Sequence, residues 1–123
     1  YGILVLAFHG DPGKIELAEH VFVSLDSLAT MMRTRFAGWV VHFASCGTVN
    51  IDDDRLARFV SETKVAMVTG FTKELDWTEG AVMDLLLLRG LQYYRDLSAL
   101  SNHLQKSRDH RIATAVIQAF PHP

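Results

Sequence analysis

The fold of this chain is decided by the stretch Trp39-Val40-Val41-His42-Phe43-Ala44-Ser45-Cys46-Gly47-Thr48. An apolar run rich in β-branched and aromatic residues stops at the only cysteine, and a glycine follows directly. Such a run predicts a buried strand of a parallel sheet. The carboxyl ends of parallel strands form the edge at which open α/β sheets bind ligands. Cys46 is therefore a candidate site residue.

Upstream of this stretch the pattern predicts a strand, a hairpin and a helix. Ile3–Phe8 is continuously apolar and predicts a second buried strand, and the turn-forming residues 9–13 (His-Gly-Asp-Pro-Gly) end it. Alternation over 14–17, followed by 21–23, predicts a small surface hairpin. Ser24 then has the character of a helix N-cap, and the apolar spacing predicts a helix to about Phe36, closed by Gly38.

Downstream, the pattern predicts a further helix, strand and helix. Asp52, Asp53 and Asp54 favour the first turn of a helix over 53–62; as metal ligands they are disfavoured, because adjacent helical residues point in different directions. Residues 65–69 predict a third buried strand, ended by Gly70. A capping box at Asp76 opens a helix over 80–95 that is apolar almost all round, and this predicts a helix buried on the sheet. Residues 111–117 fit a last strand or a helix.

Strand and helix alternate three times, which predicts one parallel sheet with helices on its faces and the second strand in the middle. The 123 residues fit a single domain. A net charge of −2 gives no case for nucleic acid, and no apolar run is long enough to span a membrane. A lone cysteine predicts a reducing, cytoplasmic setting. Because the chain opens with Tyr1-Gly2 directly before a strand, we expect earlier strands upstream.

Two of the predicted strand ends carry the elements of a cysteine–histidine dyad, His9-Gly10 and Cys46-Gly47. Cysteine attacks as a thiolate, and a nearby histidine takes its proton and later protonates the leaving group. The backbone N–H groups of Gly10 and Cys46 are candidate oxyanion donors. The alternative is structural, because free cysteine is often buried and a histidine at a strand end often only caps it.

Phe8-His9-Gly10 followed by Ala44-Ser45-Cys46-Gly47 resembles the His-Gly and Cys motifs of the caspase-like cysteine peptidases, a group that includes caspases, gingipains, separase and bacterial CHAT domains. The resemblance covers residues 9–91 in element order. It implies a three-layer α/β sandwich with a mostly parallel sheet, in which the histidine and the cysteine end adjacent strands. The Ser-Cys-Gly sequence departs from the caspase type and from the common CHAT type. It therefore implies a separate bacterial branch and no aspartate specificity.

The resemblance implies a cysteine endopeptidase with Cys46 as nucleophile and His9 as general base, acting on a protein or peptide substrate. It also implies that the loop carrying Glu74, Asp76 and Trp77 helps to bind substrate, and an activating partner or fused domain is compatible with it. Two alternatives stay open: an inactive caspase-like fold that serves as an interaction module, and a hydrolase of small amides or esters.

No cofactor is expected, because the glycine spacing of a dinucleotide site and the lysine of a phosphate-binding loop are missing. No metal is expected either, since the remaining histidines lack the spacing of a zinc site. Of these, His42 lies within a buried strand. We therefore interpret it as a core or interface histidine whose hydrogen-bonding groups are satisfied.

Overall fold

The computed structural model describes residues 2–71, 81, 84, 85, 88–90, 92, 96, 99 and 117–121. Most of the described secondary structure lies in the first 71 residues. The described elements, in chain order, are β1 (Ile3–Leu6), β2 (His9–Asp11), β3 (Lys14–Ala18), β4 (Val21–Ser24), α1 (Leu25–Met32), β5 (Val40–Cys46), α2 (Asp53–Thr63), β6 (Met67–Phe71) and β7 (Ile117–Pro121). In addition, residues 81, 84, 85, 88–90, 92 and 99 are helical.

The larger sheet has the strand order β1-β5-β6-β7. Strands β1, β5 and β6 are parallel, with β5 in the middle, and this confirms the predicted arrangement. The register places His42 of β5 between Val5 of β1 and Thr69 of β6. Strand β7 pairs antiparallel with β6. It begins at Ile117, where the predicted last strand was expected to end; residues 111–116 lie outside the described part.

The boundaries of β1 and β6 differ from the prediction. Strand β1 ends at Leu6 rather than Phe8, and β6 spans Met67–Phe71, so Gly70 lies inside the strand instead of ending it. A Cβ added to Gly70 would lie 2.9 Å from Val49 Cγ1. Glycine at this position therefore serves close packing against Val49 rather than chain termination.

The predicted hairpin is part of a second sheet, with the order β2-β3-β4 and antiparallel pairing throughout. The prediction of a turn over residues 9–13 is wrong for its first half, because residues 9–11 form β2. The turn itself is Pro12-Gly13. Proline fixes φ near −65°, and Gly13 has a φ of +74°, the combination typical of a type II turn.

Both helices begin where the sequence predicts. The side chain of Ser24 accepts from the amide of Ser27, and the side chain of Asp52 accepts from the amide of Arg55. The capping interpretation of Asp52 is thus confirmed. Helix α1 ends at Met32, earlier than predicted, because Arg33 has a φ of +50° and breaks the helix.

Phe36 still reaches the core from the turn that follows α1, and its ring packs edge-on against Trp39 with 5.2 Å between the centroids. The apolar spacing thus correctly indicated that Phe36 packs against the core, although the residue lies in a turn and not in the helix. Gly38 closes that turn rather than the helix, with a φ of +80° and an amide that donates to the carbonyl of Lys64 at 2.9 Å.

The main core lies on one face of the larger sheet, where α1 and α2 pack against β5. Its members are buried apolar side chains from both helices, from β5 and from the second sheet, among them Ile15, Leu25, Ala29, Val41, Phe43, Leu56, Phe59 and Val60. Because side chains alternate along a strand, His42 faces the opposite side of the sheet, where Asp84 contacts it.

The described helical residues 81–92 only partly fit the prediction of a helix buried all round. Asp84 reaches the sheet, but the side chain of its neighbour Leu85 is 68% exposed. Successive residues of an α-helix point about 100° apart, so a helix that turns Asp84 to the sheet turns Leu85 away from it. Within the described ranges, no helix has the length and apolarity needed to cross a membrane.

Candidate functional site

His9 and Cys46 follow neighbouring parallel strands toward the same edge of the larger sheet. Cys46 is the last residue of β5, and His9 comes three residues after the end of β1. His9 was expected to end the first strand; instead it begins β2, with an exposed side chain. The backbone of Cys46 is described, whereas its side chain lies outside the described part of the structure. The topology thus brings the two chain positions to one edge.

The backbone around Cys46 is irregular. Phe43 of β5 pairs with Gly70, but Cys46 pairs with the next residue, Phe71, so β5 bulges between these two positions. Bulges bend a strand and are frequent beside active sites. Directly after the cysteine, Gly47 has a φ of +77°, and its amide donates to the carbonyl of Phe71 at 3.0 Å.

Among the described residues, and apart from its neighbours Cys46 and Thr48, no heavy atom lies within 4 Å of a Cβ added at Gly47. Glycine is therefore needed for the backbone conformation of the turn and not for close packing. The chain thus turns sharply directly after Cys46.

Thr48 joins this turn to the second sheet. Its carbonyl accepts from the amide of Gly13 at 2.9 Å, and its hydroxyl donates to the carbonyl of Lys14 at 3.2 Å. The oxygen of that hydroxyl also lies 2.7 Å from Ser45 Oγ. Because the single hydroxyl hydrogen of Thr48 is used on Lys14, Ser45 is the donor in this pair. We call Ser45, Thr48 and the Pro12-Gly13 turn the Thr48 clamp.

The Thr48 clamp fixes the hairpin that carries His9 against the turn that carries Cys46. Thr48 and Ser45 are buried, so these hydrogen bonds are shielded from water. The carbonyl of Gly13 in turn accepts from the amide of Leu25, the first residue of α1. These hydrogen bonds thereby link the two chain segments that contain the candidate catalytic residues.

A buried polar network lies on the strand that leads to Cys46. His42 is only 1% exposed; its Nδ1 is 2.9 Å from Thr69 Oγ1, and its Nε2 is 2.6 Å from Asp84 Oδ1. The ring also packs edge-on against Phe71, with 5.6 Å between the ring centroids. Both ring nitrogens thus have partners, which confirms the interpretation of His42 as a core histidine.

The hydrogen bonds of the network are mutually consistent. In neutral His42 the Nε2–H donates to the carboxylate of Asp84, and the hydroxyl of Thr69 donates to Nδ1. Sequence reasoning missed Asp84, which is 42 residues away along the chain. The sequence did contain a signal: Asp84 is a carboxylate within an otherwise apolar helical run. A charge in such a place needs a partner.

Three of the predicted site residues, Glu74, Asp76 and Trp77, lie outside the described residues. Gly10, a predicted oxyanion donor, is half-buried in the middle of β2 and pairs with Ile15. In the part of the chain that the structure describes, no three side chains of the kinds that ligate metals come together.

The fold and the site define an α/β protein in which a histidine and a cysteine follow adjacent parallel strands. Comparison with protein-family models matches residues 1–114 to the family described as "Family of unknown function (DUF6642)". The chain belongs to this family, since the match covers most of its length. Comparison with curated proteins gave no match. The geometry of the site is therefore the basis for a proposal about function.

Proposed function

We propose that this protein is a cysteine endopeptidase of the caspase-like type, with Cys46 as nucleophile and His9 as general base. The observation that carries the proposal is the parallel pairing of β1 with β5, since His9 and Cys46 follow these two strands to one edge. The bulge before Cys46 and the sharp turn at Gly47 support it. The Thr48 clamp supports it further, because it links the two segments that contain these residues.

The proposed reaction has two stages. His9 takes the thiol proton of Cys46, and the thiolate sulfur attacks the carbonyl carbon of the substrate peptide bond. The tetrahedral intermediate collapses, the carbon–nitrogen bond breaks, and His9 gives the proton to the leaving amine. Water, deprotonated by His9, then attacks the thioester. This releases the new carboxylate and restores the thiol.

The proposed oxyanion donors are the backbone amides of Gly10 and Cys46. Asp11 and Lys14 flank the two-residue turn. In such a hairpin the backbone N–H and C=O groups of these two residues bond each other, and this is the hydrogen-bonded pair nearest the turn. Hydrogen-bonded and non-hydrogen-bonded pairs alternate along an antiparallel ladder, so the amide of Gly10 points away from β3. The amide of Gly47 is occupied by Phe71, which favours Cys46 as the second donor.

Three further features belong to the proposal. The first is a three-layer caspase-like sandwich, supported by α1 and α2 on one face of β5 and by the contact of Asp84 with His42 on the other. The second is a substrate loop containing Glu74, Asp76 and Trp77, whose carboxylates favour a basic residue before the cleaved bond. The third is a cytoplasmic setting, in which a catalytic thiol stays reduced.

The test is cleavage of a peptide library by the full-length protein and its variants. We expect Cys46→Ala to abolish cleavage and His9→Ala to lower kcat/KM by a factor of about 100 to 10,000. His20→Asn is the matched control, because His20 is an exposed histidine in the turn between β3 and β4 and its φ of +60° suits asparagine. This control should leave the rate unchanged.

A covalent probe gives a second readout for the same proposal. A peptidyl chloromethyl ketone should label Cys46, and the labelling should depend on the peptide part. If wild-type protein cleaves no peptide and no peptidyl probe labels it faster than chloroacetamide does, the endopeptidase proposal is wrong. The interaction module, or a hydrolase of small amides or esters, then takes its place.

A further inference from the structure

Strand pairing places a carboxylate directly beside the proposed general base. In the second sheet, Glu16 of the middle strand β3 pairs with His9 of β2 on one side and with Phe22 of β4 on the other. Residues paired in this way project from the same face of an antiparallel sheet, with Cβ atoms about 5 Å apart. Ile15, the neighbour of Glu16, is 2% exposed in the main core. His9, Glu16 and Phe22 therefore form a row on the outer face.

Two other charged groups lie on this face. Asp11 is opposite Lys14 in the strand register but forms no ion pair among the described residues, and Lys14 Nζ lies 4.5 Å from the ring centroid of Phe22. That distance is typical of a cation–π contact. In the described part of the chain, neither Glu16 nor His9 forms an ion pair. The half-buried carboxylate of Glu16 is thus the acidic group nearest to His9 in the register.

We infer that Glu16 is a positioning residue for His9, an inference that rests on the proposed dyad. A carboxylate that accepts from one ring nitrogen of a histidine fixes its tautomer and orientation and stabilises the imidazolium. The other nitrogen is then free to take the proton of Cys46. Glu16 does not touch the substrate; it acts through His9.

Removal of the Glu16 carboxylate is expected to weaken the ion pair between the Cys46 thiolate and the His9 imidazolium. A carboxylate that accepts from one ring nitrogen turns the other nitrogen toward the thiol, and an imidazolium placed beside a thiolate stabilises it. Removing the charge of Glu16 should therefore move the alkylation of Cys46 to higher pH. A purely structural role of Glu16 would change the stability of the hairpin without moving this pH profile.

The experiment measures the rate at which iodoacetamide alkylates Cys46 in the full-length protein between pH 5 and pH 9. We expect Glu16→Gln to lower the rate at pH 6 by about three- to tenfold, and Glu16→Asp to restore part of it. Asp11→Asn is the matched control, because it removes the same charge from the same face, two residues from His9. It should change the rate by less than twofold.

The outcomes separate this inference from the proposal on which it rests. If Glu16→Gln behaves like Asp11→Asn while His9→Ala still shifts the profile, the dyad stands and the role of Glu16 is wrong. If His9→Ala leaves the profile unchanged, the dyad fails, and the role of Glu16 fails with it. Far-UV circular dichroism of each variant at each pH confirms that folded protein is compared.

Discussion

The amide of Gly13 donates a hydrogen bond of 2.9 Å to the carbonyl of Thr48, across 35 residues of sequence. This bond joins the tip of the hairpin that carries His9 to the turn that carries Cys46. The hydroxyl of Thr48 adds bonds to Lys14 and Ser45, so one residue links the two segments. The proposed dyad requires that the segments of His9 and Cys46 be held in a fixed relative position, because small displacements of reacting groups strongly lower the rate.

The first prediction concerns the Thr48 clamp. Thr48→Val keeps the shape of the side chain but removes its hydroxyl, which leaves the buried hydroxyl of Ser45 without its partner. We expect a loss of about 1–3 kcal/mol in the free energy of unfolding, measured by urea denaturation. The matched control is Thr30→Val, whose hydroxyl also bonds a carbonyl but is exposed. It should cost about 0.5 kcal/mol or less.

The double variant sharpens this first prediction. Ser45→Ala combined with Thr48→Val removes both buried hydroxyls and leaves none unsatisfied. We therefore expect it to be less destabilised than the sum of the two single variants. Strict additivity would mean that Ser45 and Thr48 are not energetically coupled.

The second prediction compares two glycines with nearly the same backbone. Gly47 and Gly38 have φ values of +77° and +80°, and at neither position would an added Cβ come within 4 Å of another described residue beyond its two chain neighbours. Alanine at either position should cost about 1 kcal/mol of stability, from the conformation alone. Only Gly47→Ala should also lower peptidase activity, because only Gly47 adjoins Cys46. Equal activity in the two variants would contradict a site at this turn.

The third prediction concerns the His42 network. His42→Ala opens a cavity and leaves Thr69 and Asp84 without their partner, so we expect a loss of about 2–5 kcal/mol in unfolding free energy. Asp84→Asn keeps a side-chain oxygen as acceptor but loses the charge, and it should cost about 1–2 kcal/mol. Guanidinium denaturation measures both. If Asp84→Asn lowers the unfolding free energy as much as His42→Ala does, the charge of Asp84 contributes most of the stability of the network, and the expectation of a large cavity cost is wrong.

Most of the described fold could be predicted from the sequence, because its signals are local. Continuous apolar runs marked β1, β5 and β6, and the side chains of Ser24 and Asp52 marked the helix starts. The errors lie where a local pattern has two structural solutions. Residues 9–11 are typical turn formers, yet pairing with β3 makes them a strand. Phe36 has helical spacing, but Arg33 ends the helix before it.

The candidate site was less predictable, because its contacts join residues far apart in sequence. The adjacency of β1 and β5 followed from the alternation of strands and helices. The bond between His42 and Asp84, the Thr48 clamp and the pairing of Glu16 with His9 depend on register and on how elements pack. A single sequence does not give the register, and a shift of one residue would turn Glu16 to the opposite face.

The most direct test of the dyad is the pH dependence of Cys46 alkylation in full-length wild-type protein and in His9→Ala. A thiol beside an imidazolium forms its thiolate well below the pH at which an ordinary cysteine ionises. We therefore predict that iodoacetamide alkylates wild-type Cys46 readily below neutral pH, and that His9→Ala moves the profile to higher pH. If Cys46 stays inert wherever the protein is folded, or if its profile ignores His9, there is no dyad and the protein is not a cysteine peptidase.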